Sequence, residues 1–558
     1  MNDLKSKKDF KVLLLYPNLS MLFSPPLCMA IFTAICRREG YQVNIFDVTP
    51  YVGEGATAMA ENVSVGDEMN TLRRETETNG ETDTLTLRNQ TQEEFSSEEL
   101  LQNRPFSYEE DLGVKSKTGL YEDFVKKVND YQPDMILCSI VEDTFFQAVK
   151  LISLIKDKNI PTLYGGVFIT AAPELAISYP GINMINIGEG ENTIIEVAER
   201  IRLKQSCDNI KNVWVKKKDG TIKKNPRGPL VLDFKQIIPD YSLFEDYRFY
   251  RQMGGQNFKS VSIESYRGCP YTCAYCNSPM QSTLANKDGV GKFIRRTQFT
   301  GEYRNYLATI IEQVQPTYFY FVDDSFLARP KREIEAFCEM YEEFKIPFWF
   351  NTRPENVTVE NLEMLKEVNC HRMSYGLEHG NEEFRANVLL RSIKNSRLIE
   401  KFEIIADGGI PFSLNNIIGF PDETLELIFD TIELNRQVPA YDALNVGVFV
   451  PYNGTVLREL CLKKGYIDKD LIVCDMHHSM LNMSSLTPEV LDGLLRTFPL
   501  YVHFDKSLWK DIKRAEKNDN IGNKIFQEFK EVYQKEAFAL DQDEKMTLYK
   551  QSKKIVNI

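Results

Sequence analysis

The segment SYRGCPYTCAYCNSP, residues 265–279, carries three cysteines at a Cys-x3-Cys-x2-Cys spacing: Cys269, Cys273 and Cys276. Structural zinc sites and complete 4Fe–4S electron carriers both use four protein ligands, and the sequence has no second Cys-x2-Cys pair. Three thiolates on a short loop instead leave one iron of a cluster open, and Gly268 lets the backbone wrap closely around it. The motif therefore favours an open-iron cluster, with a zinc site or a group of inert thiols as the alternatives.

On either side of this motif, short apolar runs alternate with amphipathic helical patterns. The predicted strands are 259–264, 317–322, 346–351, 372–378, 411–418 and 443–450, and the helices between them include 331–344, 357–367 and 423–437. Six such repeats predict a partial (β/α)6 barrel that resembles a TIM barrel, with its chemistry at the carboxyl ends of the strands.

The first 205 residues show a second alternating series. Its predicted strands are 11–16, 43–48, 134–140, 161–166 and 182–188, and its predicted helices are 25–40, 146–157 and 192–201. This alternation predicts a doubly wound, Rossmann-like parallel sheet. A sheet of this kind binds ligands outside the carboxyl ends of its strands.

The chain is too long for one hydrophobic core, and the two series suggest how it is divided. We predict a Rossmann-like domain at 1–206, a hairpin and connector at 207–255, the barrel at 256–465 and a mainly helical region at 466–558. Within the first domain, the polar segment 52–118 is an insertion that we expect to be disordered, apart from a short helix near 97–103. In it, residues 61–110 hold 13 Asp or Glu against four Arg, a local balance of −9.

Charge and hydropathy narrow the class of protein. The formal net charge is −13, which argues against a nonspecific nucleic-acid binder or a protein of anionic membranes. The N-terminal residues MNDLKSKKDF lack the apolar core of a signal peptide, and no stretch of about 18 apolar residues is present. With eleven cysteines, the sequence therefore predicts a cytoplasmic protein with reduced thiols and no membrane insertion.

The cysteine motif, with an aromatic residue before its last cysteine, resembles the signature of the radical S-adenosylmethionine (SAM) superfamily, and the resemblance covers roughly residues 256–460. It implies a 4Fe–4S cluster whose open iron binds the amino and carboxylate groups of SAM. In that family an electron from the reduced cluster cleaves SAM, and the resulting 5′-deoxyadenosyl radical abstracts a hydrogen atom. A reducing partner such as flavodoxin or ferredoxin is implied as well.

Other strand ends resemble the same superfamily, in the segments FVDDSF, FNTRPEN, SYGLEHG and NIIGFPDET. The resemblance implies that Tyr275 lies against the adenine of SAM and that Asp323 and Asp324 lie near its amino group. Arg353 would pair with its carboxylate, and Glu378 would accept from its ribose hydroxyls. Each of these residues has an ordinary alternative as a loop ion pair or helix cap, and no catalytic acid or base is assigned.

The first domain resembles the cobalamin-binding domain that precedes the barrel in one class of radical SAM enzymes. The matching segments include CSIVEDTF (138–145), YGGVFITAAPE (164–174) and GEGE (188–191). The resemblance implies that cobalamin is bound, with Gly165, Gly166 and Gly190 approaching it closely and Ser139 and Thr144 forming hydrogen bonds to it. No histidine precedes His371, so this domain has no imidazole to offer as the lower cobalt ligand.

The sequence thus predicts a radical SAM enzyme, and more narrowly a cobalamin-dependent methyltransferase that acts on an unactivated carbon or phosphorus centre of a small molecule. One alternative is a cyclase, a ring-rearranging enzyme or another non-methylating enzyme of the same architecture, because fold does not determine reaction. Another is a noncatalytic iron–sulfur or zinc protein that uses the acidic insertion to dock a partner.

Overall fold

A computed structural model describes residues 4–19, 24–52, 101, 112–474 and 478–537. Most of the predicted insertion at 52–118, including nearly all of its predicted short helix near 97–103, lies outside the described residues. Within these ranges the strands form two seven-stranded sheets and one two-stranded ladder. The predicted α/β fold class is confirmed.

The first sheet has the strand order β2-β1-β3-β4-β5-β6-β7, and its first five strands run parallel. Its strands are β1 (Lys11–Tyr16), β2 (Gln42–Asp47), β3 (Met135–Ser139), β4 (Thr162–Gly165), β5 (Met184–Asn186), β6 (Val213–Lys216) and β7 (Ile222–Lys224). The order reverses between β1 and β3, so the ligand crevice of such a sheet is expected at their carboxyl ends.

Strand β1 shows why the sequence forms a buried strand here. Residues Val12, Leu13, Leu14 and Leu15 are all completely buried, and alternate side chains join two different hydrophobic cores. A parallel strand covered on both faces needs such a continuous apolar run. The covering helices are α1 (Leu27–Arg38), α2 (Leu120–Tyr131), α3 (Phe145–Ser153), α4 (Val167–Ala171), α5 (Pro173–Ser178) and α6 (Thr193–Arg202).

The predicted hairpin forms, with Asp219 and Gly220 in its turn. Gly220 has φ +84°, and Asp219 Oδ1 accepts from Thr221 N at 2.9 Å. The predicted division at residue 207 separates the hairpin from the first domain. In the structure, the hairpin instead belongs to the first sheet. Its strands β6 and β7 extend that sheet, because β6 pairs antiparallel with β5.

The second sheet is the predicted partial barrel, with the strand order β16-β15-β14-β13-β12-β9-β8. Six strands run parallel, and β8 pairs antiparallel with β9 at one edge. The strands are β8 (Tyr250–Met253), β9 (Gln256–Ile263), β12 (Tyr318–Phe321), β13 (Phe348–Thr352), β14 (Cys370–Glu378), β15 (Phe412–Ile418) and β16 (Ala443–Val448). The separate ladder pairs β10 (Tyr266–Arg267) with β11 (Arg295–Arg296).

One face of the second sheet packs under helices. Phe337 contacts the rings of Phe321 and Phe348 at 5.4 and 5.5 Å between centroids, which joins a helix to two neighbouring strands. The helices of this half are α7 (Ser278–Asp288), α8 (Gly301–Val314), α9 (Lys331–Tyr341), α10 (Val359–Glu367), α11 (Glu382–Asn387), α12 (Asn395–Gly408), α13 (Leu425–Asn435) and α14 (Val456–Lys464).

The C-terminal region is helical as far as it is described, with α15 (Pro488–His503), α16 (Trp509–Ala515) and α17 (Asn520–Ala537). In the described part of the chain, no helix combines the length and the apolar character needed to cross a membrane.

Buried polar contacts join the two sheets. Arg248 Nε donates to Asp47 at 2.7 Å, and Glu142 accepts from the Asn453 backbone and side-chain nitrogens at 2.9 and 2.6 Å. These contacts hold the carboxyl edge of the first sheet against the second sheet.

Candidate functional site

The three predicted cluster cysteines lie on the loop between β10 and α7. All three are half-buried, and Cys276 N donates to the Cys273 carbonyl at 3.2 Å. Gly268 enters this loop with φ +86°, and a Cβ there would lie 2.8 Å from the Phe293 ring. The loop conformation thus requires glycine immediately before Cys269.

The chemistry of these thiols suits a cationic iron centre. Burial, together with the nearby Asp324 and Cys273, raises the pKa of Cys269 to about 11 and that of Cys276 to about 12. Such thiols hold protons at neutral pH unless a metal displaces them. In the described ranges, no three His, Cys, Asp or Glu side chains are grouped around a single-ion position. Three thiols on one short loop are the donor set that a 4Fe–4S cluster with one open iron would use.

Asp323 is an anchor of the cysteine loop and does not face an open site. It accepts from the Ser265 backbone at 2.8 Å and from the Tyr266 backbone at 3.0 Å, and it pairs with Arg329 at 3.0 Å. Its side chain is completely buried, and burial raises its pKa to about 6. The structure therefore does not bring Asp323 to the place predicted for the SAM amino group, because its oxygens are already occupied.

The side chain of Asp324 lies on the opposite side of the backbone from that of Asp323. It lines a cavity beside the cysteine loop and accepts from Ser278 Oγ, at the start of α7, at 2.8 Å. Burial raises its pKa, and its charge is close enough to raise the pKa of Cys276. Of the two predicted aspartates, only Asp324 is available to a ligand.

Glu378 and Tyr275 are brought together by Arg391, a residue that no sequence motif singled out. Arg391 Nη1 lies 3.0 Å from Glu378 Oε1 and 3.1 Å from the Tyr275 hydroxyl, and Nη2 donates to the Gly376 carbonyl at 2.7 Å. Burial raises the pKa of Glu378, and Arg391 and Tyr275 oppose this rise. The three side chains form one buried polar group at the carboxyl end of β14.

Arg353 lies against the cysteine loop, directly after β13. Its guanidinium carbon is 3.9 Å from the centre of the Tyr271 ring, and Nη2 pairs with Glu355 at 2.5 Å. Its charge counteracts the rise in the Cys269 pKa. Arg353 is thus near the predicted cluster, although one of its nitrogens is already paired.

A cavity of about 460 Å³ lies between the two sheets, a size typical of ligand pockets. One wall comes from the first sheet and includes Ser139, Gly165, Gly166 and Gly190, all predicted for this role. The opposite wall comes from the segment that leads into the cysteine loop, Tyr266–Gly268, together with Asp324. The cavity therefore joins four of the predicted cobalamin residues to Asp324, one of the residues predicted for SAM, and to the segment that precedes Cys269.

Thr144 and Gly166 have structural surroundings that the sequence did not show. Thr144 is buried, does not line the cavity and donates to the Val141 carbonyl at 3.2 Å, so the structure does not bring it together with the other residues predicted for cobalamin. At Gly166, a Cβ would lie 2.1 Å from the Ile140 carbonyl oxygen. Gly166 is therefore required for backbone packing, although it also lines the cavity.

Two buried polar atoms in the cavity wall have no hydrogen-bond partner. They are Asn186 Oδ1 and Arg227 Nε, an acceptor and a donor. Buried polar groups without partners are rare in native proteins, so these atoms suit a ligand with a polar edge. The amide-rich rim of cobalamin is such an edge, and the wall therefore fits this cofactor.

An ionic group, which we name the Arg267 clasp, spans the cavity rim and consists of Glu189, Glu191, Glu264, Arg267 and Arg295. Arg267 donates to Glu264 at 2.8 and 2.7 Å, to Glu191 at 2.7 Å and to Glu189 at 3.1 Å. Arg295 also pairs with Glu189. The clasp links the end of the first sheet to Arg267, two positions before Cys269. In the sequence, only the GEGE segment, which contains Glu189 and Glu191, pointed to this group.

Two of the described histidines, His379 and His478, are paired with carboxylates. His379 is completely buried between Glu423, at 3.0 Å, and the Asn381 backbone, at 3.1 Å. His478 pairs with Asp492 at 3.0 Å, and His477 lies outside the described residues.

Comparisons with known proteins find similarity in both α/β parts of the chain. Residues 263–434 match the family model of the radical SAM superfamily, and residues 99–198 match that of the B12 binding domain. An uncharacterised methyltransferase of Pyrococcus horikoshii is 26% identical over 368 residues, 63% of this chain and 76% of that protein. An anaerobic magnesium-protoporphyrin IX monomethyl ester cyclase of Rubrivivax gelatinosus is 24% identical over 352 residues, 60% of this chain and 59% of the cyclase.

Among solved structures, one similar fold is that of the cobalamin-dependent S-adenosylmethionine radical enzyme OxsB with aqua-cobalamin and SAM bound. It covers 95% of this chain and 71% of its own, with a TM-score of 0.57 and 14% identity. At 14% sequence identity, this similarity is evidence for a shared fold and for nothing beyond the fold.

Proposed function

We propose that this chain, a radical SAM enzyme with a B12-binding domain, is a cobalamin-dependent methyltransferase that acts on an unactivated carbon or phosphorus centre of a small molecule. The observation that carries the proposal is the shared cavity. Its walls come from the carboxyl ends of the first sheet and from the residues that enter the cysteine loop. Such a cavity allows a methyl donor and a radical generator to act on one substrate.

Cys269, Cys273 and Cys276 would hold the 4Fe–4S cluster and leave one iron for SAM. When bound, the cluster supplies the electron that cleaves SAM to a carbon radical. The chain's own contribution is to bind and orient SAM. We assign Asp324 to its amino group and Arg353 to its carboxylate.

We assign the group of Glu378, Arg391 and Tyr275 to the adenosine part of SAM. Glu378 is suited to accept from the ribose hydroxyls, because it ends β14 beside Arg391, whose charge opposes the rise in the Glu378 pKa that burial causes. Tyr275 is suited to pack against the adenine, since its hydroxyl is held by Arg391 and its ring lies 6.0 Å from that of Phe420.

For cobalamin, we assign Ser139, Gly165, Gly166 and Gly190, and we add Asn186 to this set. Support comes from their common position in the cavity wall and from the unpartnered oxygen of Asn186. Because no histidine lies in this half of the sequence, this domain would offer no imidazole to the cobalt.

The second candidate is a radical SAM enzyme of the same architecture that does not transfer methyl, as the similarity to the cyclase suggests. The two candidates differ in their products. Methyl transfer consumes SAM to S-adenosylhomocysteine as well as to 5′-deoxyadenosine, whereas a cyclase yields only the latter.

Product analysis after anaerobic reconstitution tests the proposal. The enzyme is incubated with SAM and a reductant, with and without hydroxocobalamin, and both products are quantified. We expect about four irons per chain, 5′-deoxyadenosine under both conditions, and S-adenosylhomocysteine only with hydroxocobalamin. A Cys273→Ala variant should lose iron and 5′-deoxyadenosine. If 5′-deoxyadenosine alone forms in both conditions, the methyltransferase proposal is wrong and the cyclase type is favoured.

The proposal includes a reducing partner of the flavodoxin or ferredoxin type and a cytoplasmic location. All eleven cysteines are free thiols, which suits a reducing compartment.

A further inference from the structure

Arg227 is a buried arginine of the cavity wall that no motif in the sequence singled out. It follows the hairpin of β6 and β7, and its side chain is only 7% exposed. Its Nη1 donates to Asp288 at 3.3 Å, and its Nε has no partner. The Asp288 side chain is 31% exposed, so water screens this long contact. The guanidinium therefore retains the capacity to bind an anion in the cavity.

The guanidinium of Arg227 packs against the loop that follows β5. Gly188 has φ +87°, and a Cβ added there would lie 3.0 Å from Arg227 Nη2 and 3.3 Å from Nε. The next three residues also line the cavity, and within the described residues their backbone nitrogens donate to no protein acceptor: Glu189, Gly190 and Glu191. The loop leads into α6, whose first turn has no side-chain cap. A helix start with unused amides beside a buried guanidinium suits an anionic oxygen.

The acidic side chains of this loop already have partners. Glu189 accepts from Arg267 and from Arg295, and Glu191 accepts from Arg267 at 2.7 Å. Both carboxylates are therefore held by the Arg267 clasp, and neither is the partner of Arg227. An anion beside Arg227 would meet a guanidinium and backbone N–H groups, and no unpaired carboxylate of this loop.

An apolar slot lies next to the same loop. A Cβ added at Gly190 would lie 3.4 Å from Phe32 and 3.5 Å from Ile194. These two side chains form the slot with four other apolar residues of the cavity wall: Leu27, Ile31, Leu137 and Leu163. The cavity thus offers a cation and backbone donors beside a surface that suits a flat aromatic group.

We propose that Arg227, together with the backbone of residues 189–191, binds the phosphodiester group of the nucleotide tail of cobalamin. The nucleotide combines an anionic phosphate with an aromatic base, and these two parts match the two neighbouring surfaces of the cavity. Arg227 therefore makes the chain select complete cobalamin over corrinoids that lack the nucleotide. This inference rests on the proposed function, because it concerns the cofactor assigned to the same cavity.

Two corrinoids test the assignment: hydroxocobalamin, and cobinamide, which has the same corrin ring but lacks the phosphodiester, the ribose and the base. Equilibrium dialysis against each one, with cobalt as the readout, measures its affinity for the reconstituted full-length protein. The variants are Arg227→Gln, Arg227→Lys and Asp288→Asn. Asp288→Asn is the matched control, because it breaks the same ion pair as Arg227→Gln but leaves the guanidinium in place.

We expect the wild type to bind hydroxocobalamin at least about tenfold more tightly than cobinamide. Arg227→Gln should weaken hydroxocobalamin binding by at least about tenfold, since a charge-assisted contact is lost, and should leave cobinamide binding unchanged. Arg227→Lys should have an intermediate effect, because an ammonium keeps the charge without the planar fork. Asp288→Asn should bind hydroxocobalamin at least as tightly as the wild type.

Four results overturn the inference. The wild type does not distinguish the two corrinoids, Arg227→Gln binds hydroxocobalamin as the wild type does, Arg227→Gln loses both corrinoids equally, or Asp288→Asn reproduces its effect. A failure of the proposed function is different, because it shows itself in iron content and SAM products. An enzyme that forms S-adenosylhomocysteine with hydroxocobalamin and gives any of these four results keeps the proposed function and loses this inference.

Discussion

Asp323 and Asp324 are neighbours in the sequence, yet only Asp324 is available to a ligand. Successive residues beyond a strand point to opposite sides, so one carboxylate anchors the cysteine loop and the other lines the cavity. The sequence indicates that acidic residues belong at this strand end, but not which one is buried. Arg391 was missed for a related reason, because its partners Glu378 and Tyr275 are distant in the sequence and no motif surrounds it.

At the residue scale, Arg391→Gln should weaken SAM binding to the reconstituted enzyme by at least about tenfold. It should also destabilise the fold by about 3 kcal/mol, because the buried carboxylate of Glu378 loses its cation. Equilibrium dialysis with SAM and urea unfolding measure the two effects. Arg397→Gln removes an exposed arginine that pairs with Glu400, and should change neither quantity. SAM binding that is unchanged in Arg391→Gln would contradict the assignment of this group.

At the scale of elements, most strands could be predicted, because buried parallel strands are short apolar runs between helical patterns. The bounds of β1 agree at both ends with the predicted 11–16. The pairing of β6 with β5 could not be predicted, since pairing between distant segments leaves no local signal in a single sequence. The need for glycine at position 166 could not be predicted either. The contact that requires it comes from Ile140, at the end of the neighbouring strand.

Gly166→Ala tests this close approach. The residue has φ +117°, and its added Cβ would meet the Ile140 carbonyl oxygen at 2.1 Å, so the backbone must move. We expect a loss of at least about 3 kcal/mol in the free energy of unfolding, measured in urea. Gly181→Ala is the control, because Gly181 has φ +82° with nothing within 4 Å and should lose only about 1 kcal/mol. Equal losses in the two variants would show that the contact does not matter.

At the scale of the whole molecule, the sequence predicted two α/β units but not how they meet. Contacts such as that between Glu142 and Asn453 join residues that are more than half the chain apart. The cavity exists only because the two units are placed together, so its unpartnered atoms Asn186 Oδ1 and Arg227 Nε could not be identified beforehand. The GEGE segment was visible, but its ionic partners in the second unit were not.

At the scale of the whole molecule, the Arg267 clasp leads to a prediction about the affinity for hydroxocobalamin. Glu191→Gln should lower the affinity for hydroxocobalamin by at least about tenfold, because the cavity wall loses an ionic contact with Arg267. Spectroscopic titration of the purified protein measures this affinity. Asp47→Asn is the matched control, since it breaks another buried ion pair between the two units, with Arg248, away from the cavity. If both variants bind hydroxocobalamin as the wild type does, the clasp has no part in forming the site.

The anchoring of the cysteine loop by Asp323 has a consequence for the order of assembly. Small metal-dependent domains often remain unfolded until the ion arrives, because the ligands alone cannot organise the backbone. Here one buried carboxylate, its arginine and two main-chain amides already hold the loop entrance in place. We therefore expect the chain to fold before iron and sulfide are delivered to the cysteine loop.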